Sequence, residues 1–145
     1  MFVKPLRSIC FVGLVVAVLF SCGCASGRPK TVPVHGRVTY KGQPVPRGSI
    51  VFIPDGATAA TSDIGPDGSY TLTTFRKEDG AIPGTHRVVI TAMQDMSDQQ
   101  VEAWTPLPPP LVPTKYMNLS TTDLRAEVKD EDNTIDFDLQ DPKKR

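Results

Sequence analysis

Beyond residue 24 the chain contains no cysteine. That absence excludes a disulfide framework, a cysteine-bound zinc and a thiol nucleophile from the body of the chain. Charge of one sign is also lacking. Sixteen basic side chains balance sixteen acidic ones, so no global field draws the chain to nucleic acid or to an anionic surface. Aromatic residues reach only 7% and apolar ones 39%, which suits a modest globular core and not a polytopic membrane protein. Helical spacing of apolar residues is missing after residue 24. So are Gly-x-Ser-x-Gly, His-Glu-x-x-His and phosphate-cradling glycine loops. What the chain has in quantity is turn formers. Eleven Gly and fourteen Pro in 145 residues argue against a helical bundle, and the length suits one domain.

Residues 1–21 read as a signal peptide. Lys4 and Arg7 form a positive start, and residues 9–20 are an unbroken apolar run of twelve. A helix needs about 20 apolar residues to span a bilayer, so this run is short for a span and typical of a signal. Leu19-Phe20-Ser21-Cys22 follows directly, with a small residue before the cysteine. This resembles the lipobox of bacterial lipoproteins. The resemblance implies that Cys22 carries a diacylglycerol, that cleavage falls before it, and that the new amine is acylated, for example with palmitate. Cys24, after Gly23, is the alternative acceptor; three positions before it stands Ser21, where Cys22 has Leu19. Each buried CH₂ contributes about 0.8 kcal/mol, so three acyl chains anchor almost permanently. Cleavage removes Lys4 and Arg7, leaving fourteen basic against sixteen acidic side chains. Residues 22–33 are polar and turn-rich and read as a lipidated tether. Gly23 stands where an Asp would retain such a lipoprotein in the inner membrane, which favours the outer membrane of the cell envelope.

From residue 34 the apolar period is two. Val34, Gly36, Val38 and Tyr40 point one way, and His35, Arg37 and Thr39 the other. Lys41-Gly42-Gln43-Pro44 turns the chain. Residues 49–53 are apolar on both faces, as in a central strand, and residues 60–64 form a weaker one. Gly65-Pro66-Asp67-Gly68 predicts a tight turn, after which Tyr70 and Leu72 face inward. Asp79-Gly80 and Pro83-Gly84 bracket a loop before a strand over 85–92, in which Val88 and Ile90 face inward. Residues 124–129 and 134–139 alternate in the same way. Seven short strands with frequent turn signals predict an all-β, antiparallel, immunoglobulin-like sandwich over residues 34–140, with a charged tail at 141–145.

The run His35-Gly36-Arg37-Val38-Thr39-Tyr40-Lys41-Gly42-Gln43-Pro44-Val45 resembles the opening of carboxypeptidase-regulatory-like domains, with their Val-x-Gly-x-Val and Gly-x-Pro-Val pattern. Asp67-Gly68-Ser69-Tyr70-Thr71-Leu72 and Pro83-Gly84-Thr85-His86-Arg87-Val88 are similar to the second half of that pattern. The resemblance implies a seven-stranded prealbumin-like (transthyretin-like) sandwich, without catalytic activity and with a binding or structural role. It transfers fold-determining glycines and turns, and no functional residue.

Residues 93–123 depart from the strand pattern and form a loop long enough to carry function. The segment holds the only tryptophan, Trp104, then Thr105-Pro106-Leu107-Pro108-Pro109-Pro110-Leu111-Val112-Pro113, an extended polyproline path, and Tyr116. Trp104 and Tyr116 are candidates for an aromatic platform that binds a sugar ring or a protein. The opposing reading makes Leu111, Val112 and Tyr116 a strap over an open sheet edge. Asp130, Glu131, Asp132, Asn133, Asp136 and Asp138 supply oxygens for calcium, but strand alternation separates them and the spacing is not that of an EF-hand. A solvated acidic hairpin turn is the expectation, with no metal and no cofactor. His35 and His86, the only histidines, are read as residues of polar strand faces. The function that follows is a lipid-anchored envelope protein with a non-catalytic sandwich. Its partners are the membrane, through its lipid, and a cell-wall glycan or an envelope protein, with no nucleic acid. The alternative is a carbohydrate-binding module using residues 93–123.

Overall fold

A computed structural model of the chain describes residues 27–95 and 108–142. These residues are all-β, with nine strands in a five-stranded and a four-stranded sheet and one short 3₁₀ helix, Thr114–Met117. In chain order the strands are β1 (Val34–Tyr40), β2 (Gln43–Pro44), β3 (Gly48–Pro54), β4 (Ala60–Ile64), β5 (Ser69–Thr71), β6 (Gly84–Thr91), β7 (Arg125–Val128), β8 (Asn133–Thr134) and β9 (Phe137–Leu139). Among the described residues no helix is long and apolar enough to cross a membrane.

Period-two alternation decides which side chains meet between the sheets. Val34, Val38, Ile50, Phe52, Tyr70, Leu72, Val88, Ile90, Val128 and Leu139 are buried. Phe52 of the four-stranded sheet lies at their centre, with ring centroids 6.2 Å from Tyr70, 5.8 Å from His86 and 5.9 Å from Phe137. The expected strand over 49–53 is central, paired with β4 on one side and β6 on the other. Lys41 and Gly42 make the two-residue link from β1 to β2, with φ of 53° and 77°. Both values are positive, as the hairpin turn that matches strand twist requires.

Nine strands stand where seven are expected, since Gln43–Pro44 pairs as β2 and the run 134–139 divides into two. Three further expectations need correction. First, the C-terminal strands do not form an antiparallel hairpin. β7 pairs with β6 in one sheet, whereas β8 and β9 run parallel to β1 in the other. The acidic residues 130–132 therefore lie in a crossing between sheets. Second, the apolar alternation of residues 134–139 is broken into two strands at Ile135 and Asp136. Third, His86 is 1% exposed, not on a polar face. It shares the parity of Val88 and Ile90, and that parity outweighs its polarity. Its Nε2–H donates to the carbonyl of Ile82 at 2.7 Å, since a carbonyl only accepts. The other ring nitrogen, Nδ1, is buried with no hydrogen-bond partner among the described residues.

The break between β8 and β9 is built around Gly36. The Ile135 N–H donates to the carbonyl of His35, but the Ile135 carbonyl turns across Gly36 and accepts the Tyr70 hydroxyl. The next donor of β1, the Arg37 N–H, is satisfied instead by the Asp136 carboxylate at 2.8 Å. Burial pushes the Tyr70 hydroxyl well above its ordinary value, with the Asp136 charge adding to it, so the group stays a donor. A Cβ on Gly36 would stand 1.9 Å from the Ile135 oxygen. Gly36→Ala is therefore expected to cost about 3 kcal/mol of stability, read as a lower urea midpoint at unchanged slope. An unchanged midpoint would mean that the carbonyl has room to move.

Candidate functional site

Of the residues singled out by sequence, Cys22, Cys24 and Trp104 lie outside the described residues. Tyr116 lies within them and is 4% exposed, so it presents no face to a sugar. The 3₁₀ turn points it inward, where its hydroxyl donates to the Gln140 carbonyl at 3.0 Å and accepts from the Gln140 N–H at 3.3 Å. The described part of the segment acts as a strap. β7 covers only the first half of β6. Past it, the Val88 N–H donates to Leu124, the Val88 carbonyl accepts from the Thr122 hydroxyl, and the Ala92 carbonyl accepts from the Leu111 N–H. Val112 is buried beneath. Backbone groups left open by a short neighbour are thus satisfied, and Tyr116 ties the strap to the far sheet just beyond β9.

The acidic residues near the C-terminus do not converge. Asp130 pairs with Lys30 at 2.6 Å, Asp132 lies 3.4 Å from His35 Nδ1, and Glu131 faces Lys129. Asp136 holds the Arg37 N–H, and Asp138 accepts from the Thr39 hydroxyl at 3.0 Å and from the Gln140 amide. Asn133, 7% exposed, accepts from the Lys129 N–H and donates to the carbonyls of Lys129 and Glu131. Among the described residues no group of three or more His, Cys, Asp or Glu is arranged to hold a metal ion.

His35 stands between two partners that sequence reasoning missed. Its Nε2 is 3.1 Å from the Thr134 hydroxyl while its Nδ1 faces Asp132. Hydroxyl, imidazole and carboxylate in line is the connectivity of a nucleophile with its base. Here the imidazole is 45% and the carboxylate 68% exposed, so water screens the pair that would have to tune the base. Only the parallel pairing of β8 with β1 brings these groups together, and no local spacing signals it.

Among the open depressions on the surface of the described residues, three stand out by their linings. One of about 390 Å³ lies over β1, β5 and β8, with His35, Arg37, Tyr70, Thr134 and Asp136 around it. A second, about 510 Å³, opens between β4 and β5 and is lined by the hydroxyls of Thr61, Ser62, Thr71 and Thr73. Here the ladder is wedged apart: the Ser62 hydroxyl accepts from the Thr71 N–H and donates to the Asp63 carbonyl. Thr61 and Thr73 rejoin the strands by two backbone bonds of 2.9 and 2.8 Å. A third, of about 220 Å³, lies between residues 28–31 and 75–79. These surfaces offer hydrogen bonds to a polar ligand.

The loop after Thr73 walls the second and third depressions. Its fold centres on Asp79, which accepts the N–H groups of Thr74 at 2.7 Å, Phe75 at 3.0 Å and Arg76 at 2.9 Å. Burial pulls the Asp79 carboxyl upward, and these donors together outweigh it, so the net direction is down. A group depressed in the folded state stabilises fully above its unfolded value of about 3.9 and loses that effect as pH falls through the folded value. Asp79→Asn is expected to cost about 1 kcal/mol at neutral pH, the gap from the parent closing below about pH 4. A gap that persists into acid would show that charge does not hold the loop. For the strap, Tyr116→Phe removes one hydroxyl from Gln140 and should lower stability by about 1 kcal/mol, with hydrogen exchange fastest to rise at Leu111 and Tyr116. Unaltered protection there would sever the strap from β9.

No family model, curated protein or solved structure matches this chain.

Proposed function

We propose that the chain is an exported bacterial lipoprotein, held at the cell envelope by acylation of Cys22, whose β-sandwich binds or scaffolds and does not catalyse. The observation that carries this reading is the sequence Leu19-Phe20-Ser21-Cys22 directly after the twelve-residue apolar run. The start of the fold agrees with it. Val32, ten residues after Cys22, already exchanges backbone bonds with Ala81, so the tether between lipid and sheet is short.

The sandwich itself we read as prealbumin-like, of the carboxypeptidase-regulatory-like kind. Support comes from where the resembling residues fall. Lys41-Gly42 makes the first hairpin, Gly65 and Gly68 close the β4–β5 turn through a 2.9 Å bond, and Pro83-Gly84 opens β6. The non-catalytic reading rests on the exposure of the one hydroxyl–imidazole–carboxylate chain and on the dispersal of the acids among separate partners.

The test uses the full chain expressed in a bacterium that acylates lipoproteins. The parent is expected in the membrane fraction, with an N-terminal mass that starts at Cys22 and carries acyl chains. Cys22→Ala should leave the membrane fraction and lose the acyl mass. A variant whose membrane fraction and N-terminal mass match the parent would refute anchoring at Cys22, and acyl mass found on Cys24 would move the anchor there.

A further inference from the structure

The third depression differs from the other two in charge. Arg28, Lys30, Thr31, Phe75, Arg76 and Asp79 line it, so three cations face one carboxylate, and both oxygens of that carboxylate are already engaged by the backbone of the 74–76 turn. Arg28 is held in place by Phe75, its guanidinium carbon 5.7 Å from the ring centroid, a contact that fixes a planar donor fork before any ligand arrives. Among the described residues neither Arg28 nor Arg76 forms an ion pair, whereas Lys30 reaches Asp130 at 2.6 Å. Thr31 adds a hydroxyl. Two guanidinium groups, an ammonium and a hydroxyl around about 220 Å³ suit a tetrahedral anion, whose oxygens accept from several directions at once.

We propose that this pocket binds a single phosphate-bearing group. Asp130 on the neighbouring crossing pairs with Lys30, so the two guanidinium groups are the main charge the pocket offers an anion. Two sources share that chemistry: a phospholipid headgroup and a free phosphate compound. The headgroup source rests on the lipid anchor proposed above. Arg28 follows Cys22 by six positions, and at no more than about 3.6 Å per residue the pocket then stands within about 22 Å of the bilayer surface. A cation near such a surface is drawn to anionic headgroups.

The experiment takes the full chain in a maltoside micelle, which holds no phosphate, and titrates it with inorganic phosphate against chloride at matched ionic strength. Amide and guanidinium signals are followed by NMR. Saturable shifts at Thr31, Phe75, Arg28 and Arg76 are expected with phosphate alone, weakened about tenfold or more in the Arg28→Gln, Arg76→Gln double variant, while signals of β3 and β6 stay in place. Transfer to phosphatidylglycerol nanodiscs without added phosphate separates the sources. The same shifts there assign the site to the headgroup; their absence, with binding in the micelle, assigns it to a free phosphate compound. Shifts of equal size with chloride, or none with phosphate in the tens of millimolar, overturn the proposal. The N-terminal mass of the same sample reads the anchor separately, so loss of one reading is not mistaken for loss of the other.

Discussion

The carbonyl of Ile135, turned across Gly36 to meet the Tyr70 hydroxyl, is the contact on which the five-stranded sheet depends. β1 is the only strand there with partners on both sides, and on one side it has two parallel partners that do not join. The gap between them must be filled without orphaning a backbone group, since an unmet donor in low dielectric costs more than a bond gains. Three residues share the task. Gly36 gives up its side chain, Tyr70 supplies the donor, and Asp136 stands in for the missing ladder acceptor. Tyr70 also packs against Phe52, so the repair of the ladder and the contact between the sheets pass through one side chain.

Around that centre, the sandwich is tied on both flanks without a covalent bond among the described residues. On one flank the β4–β5 hairpin belongs to both sheets, with the Thr61–Thr73 pair as its joint. On the other the strap from Leu111 to Tyr116 spans from β6 to Gln140. A small sandwich with open edges invites pairing with other chains. Here the β4–β5 hairpin folds over one edge, and the part of β6 that β7 leaves open is covered by the strap with its prolines, a poor template for an added strand.

Much of the framework was legible in the sequence because period-two alternation is a local property. The bounds of β1 and β4, the turns at Lys41-Gly42 and Gly65 to Gly68, and the central place of β3 all follow from nearest neighbours. What was not legible depends on contacts across the chain. Residues 124–129 and 134–139 look like a hairpin because two alternating runs lie close together, but the short link carries the chain to the opposite sheet. His86 was misplaced by reading polarity before parity. The strap of Leu111, Val112 and Tyr116 was one of two readings open in the sequence, and the 3₁₀ turn that points Tyr116 inward decides between them. The pocket beside Phe75 joins residues 28–31 to 75–79, a meeting that no motif announces.

The parallel docking of β8 and β9 has a kinetic side. β1 opens the fold, yet its hydrogen-bonding partners Phe137 and Asp138 lie 98 and 99 residues from Thr39. Closing so long a loop brings little reward until the final strands arrive, and folds dominated by distant pairings form slowly. A chain made from its N-terminus thus carries its first strand half-paired until β8 and β9 have been made. Such a delay keeps β1 open on one side, and makes completion of the five-stranded sheet the event that reports the arrival of β8 and β9.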